Sequence, residues 1–445
     1  MRNVNAFLHI AKLGIAANIC KENQKVSSNS LIERAGSDPR TPRAIRNKNQ
    51  GHSLEWLRHK FELSRGDGHN ERPMEGLRGF AVFLVFLVHF VTLVKPWISE
   101  NLYFLVFTNA LHTVGNTGVD LFFVLSGYLI YGSLFSRPQK FLTFISRRIK
   151  RIYPAFSVVF ATYVLLSFLF PGENKIPSSG SDKIVYLVQN YLLLPGIFRI
   201  DPMITVAWSL SYEMFYYLAI PLVMHLFRLR DRSTVWRTTF FMSAALATVI
   251  YCALNGGHVR LVMFISGIML YEAIKSRFIP SPSSTLGLLA LCAGLLGTII
   301  PWDGSTGFAF KVSILCVAFF ILCLTCFRSP SAWLPRAFSW TPLRWLGNMS
   351  YSYYLLHGLA LKAGFLVLSK LLPPAPAAHD FWIFWILLPP MFALTLIPSA
   401  ALFLWIERPF SLKGSVPRDH APVRGWPFSR ARESTELVTP PARIP

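Results

Sequence analysis

The sequence predicts an all-α membrane protein, a polytopic transmembrane helical bundle of about ten spanning helices. Of its 445 residues, 53% are hydrophobic and only 15% are charged, which is more apolar than a soluble domain of this length. The apolar residues form runs of about 17 to 25, enough to span a hydrocarbon core roughly 30 Å thick. The charged residues lie mostly between those runs, as expected for a chain that crosses a bilayer repeatedly.

Ten apolar runs are long enough to cross a bilayer as helices. They cover residues 77–95, 117–135, 154–171, 209–227, 238–254, 259–275, 284–300, 308–327, 350–370 and 382–405. Two shorter runs, 102–111 and 184–194, are predicted to form re-entrant or interfacial helices.

The distribution of basic residues predicts the orientation. The chain has 44 Lys and Arg against 22 Asp and Glu, a formal net charge of +22. Such an excess can indicate nucleic-acid binding, but here it is spread over short loops, so no nucleic-acid partner is expected. If the N-terminus is cytoplasmic, most Lys and Arg lie in cytoplasmic segments, as the positive-inside rule requires. An even number of spans then places the C-terminus in the cytoplasm as well.

Composition divides the chain into three parts. Residues 1–73 are polar and basic, and we predict a largely disordered cytoplasmic extension or surface helix. Residues 74–410 hold the membrane domain. Residues 411–445 are rich in Pro and Arg and are predicted to be a disordered cytoplasmic tail. The six cysteines form no zinc-ligand pattern, so no metal is expected.

Arg78 and His89 stand out in the first predicted span. They are eleven residues apart, so a helix presents both from one face, with His89 about 16 Å deeper, near the midplane. Ionisable side chains inside a membrane are costly and usually mark functional sites. The alternative is a structural role for His89, in which it makes a hydrogen bond to a neighbouring helix.

Three further residues within predicted spans, two acids and a histidine, call for an interpretation. Asp120, at the outer end of the second span, needs a partner. Glu213 lies about one turn below the outer surface, where it could orient a histidine or bind an acceptor hydroxyl. The aromatic residues around Glu213 are typical of the membrane interface. His357 in the ninth span is interpreted as a donor or acceptor of an interhelical hydrogen bond.

A basic cluster precedes the third span in FISRRIKRIYPAF. Arg147 and Arg148 precede Arg151 by four and three residues, so a helix clusters them on one face. They could anchor the topology or bind phosphate groups through their guanidinium forks, and spacing alone leaves both interpretations open. At the end of the last span, Glu407 and Arg408 are expected to pair with each other at the cytoplasmic surface.

Six motifs in this order resemble the acyltransferase-3 family of membrane proteins. They are the R-x10-H pair Arg78 and His89, GVDLFFVLSGYLI, RRIKRIYP, WSLSYE, LGNMSYSYYLLH and IERPF. The resemblance covers about residues 74–410. It departs from the family pattern at Met214, where a second acid usually follows WSLS, so a secondary acidic role is in doubt.

The resemblance implies a bacterial inner (plasma) membrane enzyme for O-acylation of polysaccharide, lipopolysaccharide or peptidoglycan sugars. It would move an acyl group, with acetyl as the expected one, from cytoplasmic acyl-CoA to a sugar hydroxyl of an extracytoplasmic or membrane-linked glycan. It further implies a stand-alone form, without an esterase-like domain after the last helix. Arg147, Arg148 and Arg151 would bind the phosphates of acyl-CoA, and Arg78 would guide the donor.

The same resemblance assigns the remaining roles. His89 would be the general base, since an imidazole titrates near neutrality, and the acceptor would enter past Asp120 and Glu213. Covalent acylation of the histidine and direct attack by the sugar both remain open, and the oligomeric state is not predicted.

Two other functions fit part of the pattern. A proton-coupled transporter or exporter also uses intramembrane ionisable residues, although no internal repeat relates the two halves, as many transporters show. A catalytically inactive sugar-binding or scaffold protein is the third hypothesis, against which the intact pair of Arg78 and His89 argues.

Overall fold

The computed structural model describes residues 55–63, 71–98, 101–374 and 382–412. The chain divides into two compact units, Met1–His59 and Lys60–Pro445. The described part of the first unit, residues 55–59, is helical. The disorder predicted for the extension and the tail concerns residues that lie mostly outside the described ranges. The following description is of the second unit.

From Glu71 onward the described residues form thirteen α-helices, which we number in chain order. They are α1 (Glu71–Val94), α2 (Leu102–Ser136), α3 (Phe141–Leu169), α4 (Gly180–Tyr191), α5 (Trp208–Leu226), α6 (Thr234–Asn255), α7 (Val262–Lys275), α8 (Ser284–Ile299), α9 (Gly304–Arg328), α10 (Trp333–Phe338), α11 (Thr341–Asn348), α12 (Ser350–Leu371) and α13 (Trp382–Leu402). A π-helix, Phe403–Ser411, continues α13. The described ranges contain no β-strand, so the all-α prediction is confirmed.

Each of the ten predicted spans coincides with one of these helices, apart from a few residues at the ends. Within the described ranges, seven helices are long and apolar enough to cross a membrane: α1, α2, α3, α6, α9, α12 and α13 with its π-helical continuation. The other three predicted spans lie in α5, α7 and α8. Of these, α7 has 14 residues and α8 has 16, fewer than the roughly 20 that a full span needs. The chain is therefore a multi-pass membrane protein, as predicted.

The prediction of a separate short helix at 102–111 is wrong. This run is the first part of α2, a continuous helix of 35 residues, about 52 Å long at 1.5 Å per residue. The polar side chains that follow the run bond to backbone oxygens of their own helix: Thr113 to Asn109 at 2.9 Å and Thr117 to Val114 at 2.7 Å. Because these groups are satisfied locally, they do not interrupt the helix.

The second short run falls in α4, a separate helix of 12 residues. Its side chains Ile184, Val185 and Val188 are exposed, as an apolar face in contact with lipid requires. The preceding helix, α3, likewise ends in exposed Phe168 and Leu169.

Glycines let the central helices approach each other closely. A Cβ atom at Gly127 of α2 would overlap with the backbone carbonyl of Phe264 in α7, and one at Gly267 would overlap with Val124. A Cβ at Gly347 of α11 would likewise overlap with Glu75 of α1. Small residues have this role in membrane helix packing, and here they fix the positions of α1 and α2, which form two walls of the site.

Buried ion pairs connect the same helices. Glu272 of α7 accepts hydrogen bonds from Arg237 of α6 through both carboxylate oxygens, each at 2.7 Å, and from the Tyr131 hydroxyl of α2 at 2.5 Å. Arg344 of α11 donates to Glu75 of α1 at 2.9 Å. Ion pairs buried this deeply persist only when each partner is satisfied, so they hold the helices in one arrangement.

Candidate active site

A cavity of about 380 Å³ lies where α1, α2, α3, α5 and α12 meet. Its charged lining residues are Arg78, Arg148, Arg151 and Glu213. Its hydroxyl groups come from Ser126, Ser133, Ser209, Ser350, Tyr217, Tyr351 and Tyr354. The lining contains three guanidinium groups and one carboxylate, so it is positively charged and favours an anionic ligand.

The guanidinium group of Arg148 is held at one wall of the cavity. Its Nη2 donates a hydrogen bond to Ser133 Oγ at 3.0 Å. The group lies over the rings of Phe144 and Tyr217, 5.0 and 5.3 Å from their centroids. Cation–π contacts and the hydrogen bond together restrict its orientation, so the charge is positioned before any ligand binds.

Arg151 is anchored by a residue far along the chain. Its Nη2 lies 3.3 Å from Glu407 Oε1, and Glu407 also accepts hydrogen bonds from the Ser352 amide at 3.1 Å and hydroxyl at 2.6 Å. Glu407 is fully buried. The other nitrogen, Arg151 Nη1, is buried and has no hydrogen-bond partner in the part of the chain that the structure describes, so it can bind a ligand.

The expected local pairing of Glu407 with Arg408 is wrong. Glu407 binds Arg151 of α3 and Ser352 of α12. The physical reason is that consecutive residues on a helix do not face each other. Glu407 therefore points into the bundle and connects three helical segments.

Arg78 and Glu213 face the same cavity from different helices. Arg78 Nη2 donates a hydrogen bond to Ser350 Oγ of α12 at 2.9 Å. Glu213 Oε1 accepts a hydrogen bond from the Tyr217 hydroxyl, one turn further along α5. Sequence spacing predicts the second contact, since the residues are four apart, whereas the first joins residues 272 positions apart.

Arg147 lies in a neighbouring cavity of about 390 Å³, not in the one that holds Arg148 and Arg151. Its Nη1 donates to Gln139 Oε1 at 3.1 Å. Leu129 and Ser133 line both cavities, so the two adjoin. The three arginines predicted to share one helix face are thus divided between two connected spaces.

Asp120 of α2 is buried but does not line the cavity. Its Oδ1 lies 3.6 Å from Nε of Arg260, in the short 3-10 helix before α7. Arg260 also lies over the rings of Trp208 and Phe308, 5.7 and 5.9 Å from their centroids. Asp120 has the partner that its membrane position requires, and this pair explains its burial without a catalytic role.

His89 contacts a second histidine. The ring centroids of His89 and His357 are 4.9 Å apart, with the planes inclined at 63°. His357 is fully buried, and its Nδ1 lies 3.0 Å from the backbone oxygen of Tyr353. This hydrogen bond lies within α12, and the structure shows no interhelical hydrogen bond of His357 among the described residues. Its Nε2 is buried without a hydrogen-bond partner among the described residues.

Neither His89 nor His357 lines the cavity, and Tyr354 lies between the cavity and His357. Tyr354 lines the cavity, and its ring centroid is 6.1 Å from that of His357. Its hydroxyl lies 2.7 Å from Ser209 Oγ. Sequence reasoning missed the pairing of His89 with His357. The available signal was two histidines in apolar spans, both near mid-depth.

These features define a polytopic helical membrane protein with a buried, positively charged cavity beside a histidine pair. The chain belongs to the acyltransferase-3 family: residues 73–404 match the acyltransferase domain that defines it. The resemblance inferred from the six motifs is thereby confirmed.

Several curated proteins are similar to this chain. OatA of Listeria monocytogenes, named a peptidoglycan O-acetyltransferase, is 25% identical over 64% of this chain and 48% of its own length. OatA of Staphylococcus aureus, named an O-acetyltransferase, is 29% identical over 64% of this chain and 49% of its own. YrhL of Bacillus subtilis is 27% identical over 64% of this chain and 47% of its own length. The chain spans about half the length of these relatives. No solved structure matches it.

Proposed function

We propose that the protein is a membrane O-acetyltransferase that moves an acetyl group from cytoplasmic acetyl-CoA to a sugar hydroxyl of an extracytoplasmic or membrane-linked glycan. The observation that carries the proposal is the arginine-lined cavity, which Tyr354 separates from His357 of the histidine pair. The names of the OatA relatives support acetyl as the group and a cell-envelope glycan as the acceptor.

The arginines support an acyl-CoA donor. Coenzyme A carries several phosphates, which guanidinium groups bind through paired hydrogen bonds. The first cavity, at about 380 Å³, lies near the lower end for ligand pockets. It suits the narrow acyl-bearing arm of the donor more than the whole molecule. The adjoining cavity with Arg147 would then hold the nucleotide end.

The proposed orientation places both termini in the cytoplasm and the protein in the inner (plasma) membrane of a bacterium. Arg148 and Arg151 follow the loop between α2 and α3, which is cytoplasmic in that orientation, so the donor phosphates meet them from inside. The acceptor enters from the other side, where α5 begins, and meets Glu213. The pair of Asp120 and Arg260 supports the wall on that side.

His89 is the proposed general base. It takes the proton of the acceptor hydroxyl as the oxygen attacks the thioester carbonyl, which forms the ester bond. The carbon–sulfur bond breaks, and the leaving thiolate takes a proton from His89, which returns to its neutral form. Tyr354 stands between the cavity and His357, so the proposal requires the thioester to pass this side chain on its way to His89.

The test uses purified full-length protein, radiolabelled acetyl-CoA and an N-acetylglucosamine pentamer as acceptor. We expect thiol release and label transfer from the wild type. His89→Gln keeps hydrogen bonding and much of the side-chain volume but cannot take the proton, so its rate should fall by about 100- to 10,000-fold. A transporter or an inactive scaffold would release no thiol. Near wild-type transfer by His89→Gln at equal expression would exclude His89 as the base.

A further inference from the structure

We propose that His357 is a positioning residue, which accepts a hydrogen bond from the His89 ring and so fixes the orientation and tautomer of the base. The inference rests on the proposed acyl transfer and extends it to a residue of another helix. It starts from the contact between the two rings, whose centroids are 4.9 Å apart.

The tautomer of His357 follows from its hydrogen bond. A backbone carbonyl can only accept, so the contact of Nδ1 with the Tyr353 oxygen at 3.0 Å places the proton of the ring on Nδ1. In a neutral imidazole the other nitrogen then carries a lone pair and is an acceptor. His357 Nε2 is therefore a buried acceptor, and no residue of the described ranges satisfies it.

A buried acceptor without a partner is costly and requires an explanation. The hydroxyl groups of Tyr353 and Tyr354, whose ring centroids lie 5.3 and 6.1 Å from that of His357, are already engaged. Tyr353 shares a hydrogen bond with Thr395 at 2.7 Å, and Tyr354 bonds to Ser209 at 2.7 Å and to the Val206 oxygen at 3.1 Å. The ring of His89, whose centroid lies 4.9 Å from that of His357, is the neighbouring group that can donate an N–H once it turns towards Nε2.

Such a hydrogen bond would determine which ring nitrogen of His89 carries the proton. The nitrogen that donates to His357 carries the proton, so the other presents its lone pair to the acceptor hydroxyl. When His89 takes the hydroxyl proton it becomes an imidazolium, and the N–H that faces His357 is then a stronger, charge-assisted donor. After this proton passes to the leaving thiolate, both histidines are neutral again. In hydrolytic triads a buried acceptor orients the catalytic histidine in a comparable way.

The test compares two substitutions of His357 in the purified full-length protein. His357→Phe keeps an aromatic ring but removes the acceptor, whereas His357→Gln supplies an amide oxygen that can accept. Thr395→Val serves as the matched control, because Thr395 is equally buried and contacts α12 through Tyr353. Thiol release from acetyl-CoA, with the N-acetylglucosamine pentamer present, gives kcat and the KM for acetyl-CoA.

We expect His357→Phe to lower kcat by about 10- to 100-fold, by analogy with the loss observed when the hydrogen-bonding partner of a metal-ligating histidine is removed. The KM for acetyl-CoA should change less than about twofold. His357→Gln should recover at least a part of kcat, and Thr395→Val should resemble the wild type. Equal loss in the Phe and Gln variants, or wild-type kcat in His357→Phe, would overturn the proposal. Absence of thiol release from the wild type would instead refute the acetyltransferase function itself.

Discussion

Arg148 and Arg151 both line the cavity, but their guanidinium groups are engaged differently. Arg148 is held by Ser133 and two aromatic rings. Arg151 is held on one side by Glu407, while its Nη1 has no partner within the described residues. Arg151 therefore has the donor group that is ready for an incoming phosphate, and Glu407 determines where that group points.

Replacement of Arg151 by Lys tests this difference. The charge is kept, so the topology should not change, but the fork that binds Glu407 and a phosphate at the same time is lost. A hydrogen bond to a charged group contributes about 1.5 to 3 kcal/mol. The KM for acetyl-CoA should therefore rise by about 10-fold or more, with a smaller change in kcat. Steady-state thiol release measures both quantities.

Arg232→Lys is the matched control, since this arginine lies over the ring of Trp236 and belongs to neither cavity lining. Its KM should equal that of the wild type. If Arg151→Lys also binds acetyl-CoA normally, the arginine is only a topological anchor.

At the level of helices, sequence periodicity located the elements well but not their neighbours. The ten apolar runs are all helical because their length and composition leave no other way to satisfy the backbone in lipid. The rotation of α3 about its axis was not predictable. Arg147 and Arg151 are four residues apart, so they were predicted to lie side by side. In the folded protein Arg147 instead binds Gln139, and Arg151 binds Glu407. Long-range partners of this kind depend on the tertiary arrangement.

The same limit applies to the candidate site. The sequence placed Arg78 and His89 on one helix and Glu213 near the outer surface. It could not show that Asp120 pairs with Arg260 or that His89 contacts His357. Those contacts join helices that are distant in sequence, so a local pattern carries no information about them.

The buried triad of Tyr131, Arg237 and Glu272 connects α2, α6 and α7. Glu272→Leu should destabilise the protein strongly, by about 3 to 5 kcal/mol, because it leaves the Arg237 charge buried without its partner. A lower Tm in detergent is the expected result. The double change Arg237→Leu with Glu272→Leu should recover part of the loss, since it removes both charges. An unchanged Tm for Glu272→Leu alone would show that the pair does not stabilise the folded protein.

On the scale of the whole molecule, the orientation decides which side supplies each substrate. Arg148, Arg151 and the adjoining cavity lie near the loop between α2 and α3. This loop must be cytoplasmic if acetyl-CoA, which is made inside the cell, is the donor. The positive-inside rule favours the same orientation, because the loop contains Arg137 and Lys140, and Arg147 and Lys150 follow at the start of α3.

Reporter fusions test this orientation directly. Alkaline phosphatase folds to an active form only outside the cytoplasm, so a fusion to the C-terminus of the full chain should be inactive, and a fluorescent protein there should be bright. Alkaline phosphatase inserted at Ser178, in the segment between α3 and α4, should be active, because that segment is extracytoplasmic when the N-terminus is inside. The paired fusions control for expression, since each is the positive counterpart of the other. If alkaline phosphatase were active at the C-terminus and inactive at Ser178, the orientation would be the reverse of the one proposed. The arginines would then face the outside, which would contradict a cytoplasmic acetyl-CoA donor.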